Sequence, residues 1–347
     1  MWITFYHQSK RHRKSLNLDD TKANRKLAET KLIPEIQYKL NNGEFFENDN
    51  VKKVPTIDEF FQVSFEIHKN HRRFLTQKNH LYVYINNIKP YLGNKKLDEI
   101  KPSQIANWQN KLLETLSTKS LSMARAVLNV VFNDAIADEI ILKNPLSVIK
   151  KPHNVPTREI KPFSQDEIFK LLDNVNEKVR CYFAIGFFTG MRTGEILALK
   201  WSDIDYENGI IKVRRSKRQG IESEPKTKAS IRDVDILDIL IPYLKNHLKF
   251  KIPQSDYLFT SNFQKPYNDC MGIFARYWKP LFEKLDIEYR NPYQMRHTFA
   301  SMMINNGEDI LWVSNMLGHT TSAMTLTKYA KYIVNKEKKR GTFLTAS

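Results

Sequence analysis

Thr189-Gly190-Met191-Arg192-Thr193-Gly194-Glu195 is the stretch on which the fold turns. It lies between an apolar segment containing Cys181-Tyr182-Phe183-Ala184-Ile185 and the amphipathic Ile196-Leu197-Ala198-Leu199. Both flanks read as helix. Two glycines around one arginine therefore predict a tight interhelical turn that presents a guanidinium outward. Glu195, at the start of the second helix, is placed to brace that arginine or to satisfy the helix end. Taken alone, an arginine in such a loop is most simply structural.

The surrounding region mixes helices with one hairpin. It opens on a capping box, Ser164-Gln165-Asp166-Glu167, in which hydroxyl and carboxylate each satisfy an orphan N–H. The turn signal Asn208-Gly209 precedes Ile210-Ile211-Lys212-Val213, and Ile231-Arg232-Asp233-Val234-Asp235-Ile236 alternates like a strand. Pro225-Lys226-Thr227-Lys228 falls in the hairpin between them, where a lysine is ordinarily just solvated. Further on comes Tyr293-Gln294-Met295-Arg296-His297-Thr298-Phe299-Ala300, with Tyr293 and Arg296 on one helix face and able to reach one ligand. Last come Leu317-Gly318-His319 and Thr325-Leu326-Thr327-Lys328-Tyr329-Ala330. A tyrosine in such a helix is usually a half-buried packing residue.

Two further regions precede this one. Residues 54–150 read as helical throughout, from the capping box Thr56-Ile57-Asp58-Glu59 to Lys143-Asn144-Pro145. Leu81, Ile85, Ile88 and Leu92 form a stripe at helical spacing, as do Trp108, Leu112 and Leu116, and Leu121, Leu128, Phe132 and Ala135 continue the pattern. All are expected in the core. Residues 1–48 open with the β-type run Trp2-Ile3-Thr4-Phe5-Tyr6, then a basic turn, Lys10-Arg11-His12-Arg13-Lys14, then a helix from Thr21 to Tyr38. Such a module suits contact with DNA, and a solvated basic tail is the competing reading. The polar stretches Asn41-Asn42-Gly43 and Glu47-Asn48-Asp49-Asn50 and the proline-stiffened run Lys150-Lys151-Pro152-His153-Asn154-Val155-Pro156 are linkers. The expected architecture is multidomain and mainly α with small β elements.

Composition narrows the partners. The 347 residues carry 55 Lys and Arg against 38 Asp and Glu, a formal charge of +17, which favours a polyanion such as nucleic acid. With 41% hydrophobic and 12% aromatic residues the chain is globular rather than disordered. Cys181 and Cys270 are the two cysteines, too few for a disulfide framework or a cysteine zinc site. No apolar span of membrane length and no signal-peptide pattern occurs, so a reducing cytoplasm is expected.

Together, in this order over nearly 140 residues, the four segments resemble the catalytic domain of the tyrosine recombinases, the phage integrase family. Thr-Gly-Met-Arg-Thr-Gly-Glu looks like the family's first arginine box, with Arg192. Tyr-Gln-Met-Arg-His-Thr-Phe-Ala looks like its His-x-x-Arg box, with Arg296. Leu-Gly-His supplies His319, and Tyr329, ten residues later, matches the nucleophile. Residues 160–340 then resemble an α+β catalytic domain, residues 54–150 a helical core-binding domain and residues 1–48 an arm-site-binding module.

The residue types suit that chemistry. Cleavage of a phosphodiester by a side-chain nucleophile loads negative charge onto nonbridging oxygens. Two arginines offer them forked, permanent charges. Capture on Tyr329 stores the bond energy, so rejoining needs neither ATP nor a metal. No carboxylate cluster demands Mg²⁺, and no cofactor is expected. The resemblance implies Lys226 as general acid to the 5′-oxygen, with Lys228 its close competitor, and His319 as a hydrogen-bond partner of the phosphate. One position departs from the pattern: Tyr293 stands where the family has histidine. A phenol of pKa near 10 donates well and accepts a proton poorly at neutral pH, so Tyr293 is expected only to orient. His297, about 100° around the helix from Arg296, reads as structural.

The resemblance further implies duplex attachment sites, a homotetramer that exchanges strands through a Holliday junction, and host proteins that bend DNA. The C-terminal segment from Ile333 to Arg340 would pack on a neighbouring protomer or extend as a basic tail. The arm-like module favours an element integrase over a chromosome-dimer resolvase or a type IB topoisomerase, and the presence of Arg192, Arg296, His319 and Tyr329 disfavours a non-catalytic DNA-binding regulator.

Overall fold

The computed structural model describes residues 1–7, 10–42, 54–153, 160–224 and 228–330. The chain divides into two compact units, Met1–Thr157 and Arg158–Ser347. Among the described residues no helix is long and apolar enough to cross a membrane.

At the start of the first unit, β1 (Trp2–His7) pairs antiparallel with β2 (Lys10–Ser15). The basic run expected as a turn is thus a strand. Cross-strand pairing is what makes it one: Phe5 faces His12 with the rings stacked at 5.6 Å, and the Arg13 guanidinium lies 4.9 Å from the centre of the Trp2 ring. Helix α1 (Lys22–Leu27) starts where the Thr21 hydroxyl accepts from Asn24 N–H, and a π-helical turn over Ala28–Leu32 leads into α2 (Ile33–Asn41).

The helical bundle comprises α3 (Ile57–Ile67), α4 (Phe74–Val83), α5 (Lys89–Leu92), α6 (Pro102–Leu113) and α7 (Thr118–Ala137). The capping box before α3 forms as expected, with Thr56 N–H donating to Glu59 Oε2 at 2.8 Å and Glu59 N–H to Thr56 Oγ1 at 3.2 Å. One expected stripe divides. Ile88 and Leu92 are buried, but Leu81 and Ile85 are exposed. A π-helical turn at Tyr84–Ile88 adds a residue to the helical repeat. At its start the buried face therefore passes to Val83 and Tyr84. Tyr84 stacks on Phe61 at 3.5 Å and donates to Asp58 at 2.8 Å. The remaining stripe residues line the same core, with Leu116 at its edge.

The second unit begins with α8 (Gln165–Asn174), whose cap carboxylate, Glu167, also pairs with Arg290 through both oxygens at 2.7 and 2.8 Å. Buried α9 (Glu177–Thr189) and short α10 (Thr193–Leu197) flank the Arg192 turn. A three-stranded antiparallel sheet orders β3 (Ile204–Asp205), β4 (Ile210–Val213) and β7 (Arg232–Asp235), which contain the two anticipated strands. Between β4 and β7 the chain makes a second hairpin, β5 (Ser216–Arg218) with β6 (Ile221–Ser223), where a simple turn was expected. Helices α11 (Ile241–His247), α12 (Cys270–Ile273), α13 (Lys279–Leu285), α14 (Gln294–Asn305), α15 (Ile310–Leu317) and α16 (Ser322–Tyr329) complete the unit. Cys181 is buried in this core, the apolar role expected of it. Trp312 Nε1 donates to Asp235 Oδ2 at 2.7 Å, tying α15 to the sheet.

Candidate active site

Gly190 ends α9 in the left-handed region, φ +64, and a Cβ there would lie 2.6 Å from Phe299 and 2.8 Å from Leu317. This glycine brings the turn against α14 and α15. Arg192 follows at the start of α10. Its N–H donates to Glu195 Oε2 at 3.0 Å, while its Nη1 reaches Glu195 Oε1 at 2.7 Å. One carboxylate therefore both caps the helix and braces the guanidinium. Nη2 of Arg192 donates to the Gly318 carbonyl at 3.2 Å. That bond joins the first box to the turn that carries His319.

Arg232 completes this assembly, and sequence reading did not single it out. It donates to the other side of Glu195 at 3.0 Å, to the Met316 carbonyl at 2.9 Å and to the Ser230 carbonyl at 3.1 Å. Gly318, at φ +64, leaves the space this guanidinium needs; a Cβ would sit 2.8 Å from its Nη1. The sequence signal was an arginine at an inward-facing register position of a strand already identified. Burial works to raise the pKa of Glu195, but Arg232 and Arg192 outweigh it and hold the carboxyl below its ordinary range.

Arg296 projects from α14 and is only 3% exposed. Its Nη1 donates to the Gly190 carbonyl at 2.9 Å. Burial, then Arg192, bring its pKa down to about 10, so it stays cationic at neutral pH. Arg192, Arg232 and Arg296 all lie within electrostatic reach of the one carboxylate Glu195. This excess of positive charge favours an anionic ligand.

His319 follows the left-handed end of α15, and its Nδ1 lies 2.7 Å from Thr325 Oγ1. Burial, then Arg296 and Arg192, lower its pKa to about 4, so the ring is neutral near pH 7. With Thr325 donating to Nδ1, the Nε2–H is left to donate to a ligand. Thr325 was another residue that sequence reading passed over.

Tyr329 ends α16 with 0% exposure, and its hydroxyl is 2.7 Å from His297 Nδ1. His297, read from the sequence as structural, is thus in direct contact with the Tyr329 hydroxyl. The 100° turn away from Arg296 aims the ring at α16. Tyr293, which precedes α14, is 42% exposed and does not share the buried face of Arg296. Its ring meets that of His297 edge-on at 5.0 Å, with Lys328 Nζ 5.5 Å from the Tyr293 centroid. Lys226 lies outside the described residues, as do the side chain of Lys228 and the segment from Ile333 to Arg340. Among the described residues no cluster of His, Cys, Asp or Glu is arranged to hold a metal ion.

The phage integrase family matches residues 161–335, the phage integrase N-terminal SAM-like domain residues 56–113, and the Arm DNA-binding domain residues 1–49. A tyrosine recombinase XerC-like protein of Caldanaerobacter subterraneus is 30% identical over 298 residues, covering 76% of this chain and 75% of its own. The ICEBs1 integrase of Bacillus subtilis is 28% identical over 318 residues, covering 84% of each. In structure, the Tn1549 transposon integrase bound to a circular intermediate DNA shares the fold, with TM-score 0.67, 22% identity and coverage of 79% of this chain and 94% of that one. The chain therefore belongs to the phage integrase family and is a tyrosine-type site-specific recombinase.

Proposed function

We propose that the chain is the integrase of a mobile element, breaking and rejoining duplex DNA through a 3′-phosphotyrosine on Tyr329. The observation that carries this reading is the convergence of Arg192, Arg296 and His319 from separate elements onto one cationic site, with Tyr329 hydrogen-bonded to His297, a ring within electrostatic reach of Arg296 and His319. Relatives named as element proteins support it, among them the ICEBs1 integrase and the Tn916 transposase of Enterococcus faecalis, which is 27% identical over 268 residues, 70% of this chain and 66% of its own.

In this reading Tyr329 Oη attacks the scissile phosphorus. The bond to the 5′-oxygen breaks, the phenol loses its proton to solvent, and the leaving oxygen takes one from Lys226. Arg192 and Arg296 hold the nonbridging oxygens where the added charge develops, and His319 donates from Nε2. The reverse attack by a 5′-hydroxyl restores the phosphodiester. Tyr293 orients the site through its contact with His297.

The labour divides along the chain. Residues 1–48 bind arm-type sites, residues 54–150 grip the core site, and residues 160–340 carry the chemistry. Four copies act on two attachment sites, assisted by DNA-bending proteins, in the cytoplasm where the DNA is. A lambda integrase tetramer bound to a Holliday junction shares the fold, with TM-score 0.64, 18% identity and coverage of 92% of this chain and 93% of that one.

Incubation with a nicked duplex spanning the element's attachment repeat tests the reading. The intact protein should trap as a covalent adduct, and Tyr293→Phe should retain adduct formation within about tenfold, the cost of one hydrogen bond. No adduct from the intact protein would leave a non-catalytic DNA binder. Relaxation of supercoils without a specific site would instead indicate a topoisomerase. Tyr293→Phe as inactive as Tyr329→Phe would refute a purely orienting Tyr293.

A further inference from the structure

Tyr329 poses a problem that the fold solves locally. A buried phenol needs a hydrogen-bond partner, since leaving it unpaired costs the desolvation of the hydroxyl. At 2.7 Å, His297 Nδ1 meets that need. The direction of the bond depends on the charge and the tautomer of the ring. Burial, then Lys328, Arg296 and His319, push the His297 pKa down to about 3, so the imidazole is neutral. In the proposed tautomer, with the proton on Nε2, Nδ1 can only accept and the phenol donates.

The ring is fixed from two sides. Tyr293 meets it edge-on at 5.0 Å, and the Tyr329 ring lies 5.7 Å away. The Lys328 ammonium covers both tyrosines, 5.5 and 6.0 Å from their ring centres. The exposed Tyr293 thus acts as a wall for the imidazole, and the histidine that touches the phenol is the next residue but three along the helix.

We propose that His297 is a positioning residue: it holds the Tyr329 phenol docked in the protein's own active site before a phosphate is seated, with the hydroxyl hydrogen engaged. The assignment rests on Tyr329 being the nucleophile. Positioning, rather than base catalysis, follows from basicity. An imidazole with a pKa of about 3 is too weak a base to draw the proton from a phenol, whose reference value is about 10. The phenol must exchange this bond for one in the reacting complex, and the docked geometry keeps it on α16, one residue beyond Lys328.

The DNA-free, full-length protein provides the test. Nitration mapped by peptide mass spectrometry should leave Tyr329 protected in the intact protein. His297→Phe, which keeps a ring but has no acceptor, should speed nitration of Tyr329 by about threefold to tenfold, the equivalent of one hydrogen bond. His297→Gln, whose Oε1 can accept, should return most of the protection and most of the single-turnover cleavage rate. Equal nitration in the intact protein and His297→Phe would overturn the proposal. So would a glutamine variant as impaired as the phenylalanine one, which would mark His297 as a packing residue.

A second readout avoids any change at His297. In ¹⁵N-histidine spectra, Tyr329→Phe should shift the Nδ1 resonance of His297 toward that of a free acceptor, and an unmoved resonance would overturn the proposal even if His297→Phe fails to fold. A Tyr329→Phe protein that still formed the DNA adduct would instead strike at the nucleophile assignment, separating the two failures.

Discussion

Replacing Arg296 by lysine should lower the single-turnover rate of strand cleavage by about 10²–10³-fold, the range seen when one donor to a developing oxyanion is lost. Charge is retained in this variant, so the loss isolates geometry. Arg296 spends Nη1 on the Gly190 carbonyl and is 3% exposed, which fixes the plane of the guanidinium. A lysine ammonium in the same pocket offers a point charge on a flexible stem and cannot keep that bond while presenting a fork to the phosphate. Duplex affinity should change far less than the rate, because a chain of formal charge +17 has many other cations to offer the backbone. Single-turnover kinetics on a nicked duplex, set beside equilibrium binding, measure both quantities. A loss of affinity with the single-turnover rate unchanged would assign Arg296 to ground-state binding.

Glu195→Gln should produce the largest loss of stability, about 3–5 kcal/mol, the cost of leaving a buried charge without its partner. The Glu195 side chain is 2% exposed and that of Arg232 is 8% exposed, so solvent screens the pair little. Glutamine keeps the shape and one acceptor but leaves Arg192 and Arg232 facing each other uncompensated. The pH dependence gives an independent check. Because the folded carboxyl is held below its ordinary range, its contribution is complete above about 4.3, the unfolded value, and is lost as pH falls through the folded pKa. Unfolding curves of the intact protein and Glu195→Gln should converge as pH drops below about 4. Curves that stay parallel would show that the ion pair is not the source of the difference.

The sequence was most legible where a residue acts through local spacing. Thr56 with Glu59 and Ser164 with Glu167 are three apart, and each pair closes the expected cap. Glu195 caps α10 and braces Arg192 for the same reason. Where registry or distant partners decide, pattern was insufficient. The π-helical turn at Tyr84–Ile88 turned Leu81 and Ile85 outward without altering their spacing. Lys10–Ser15 became a strand because β1 lies beside it, although its own composition reads as a solvated run.

In the site, arginines and histidine in ordered boxes were visible because the chemistry requires those residue types. Arg232 and His297 were not, since each acts on a partner far along the chain: 37 residues to Glu195 and 32 to Tyr329. Tyr293 was visible as a departure, but the contact that gives it a role, with His297, emerged only in three dimensions.

The most direct measurement is the identity of the residue that carries DNA. Adduct trapped on a nicked duplex, digested with protease and nuclease, should yield one modified peptide, with the nucleotide remnant linked through a 3′-phosphate to Tyr329. Tyr329→Phe should give none. A remnant on any other side chain, or undiminished adduct from Tyr329→Phe, would contradict the account.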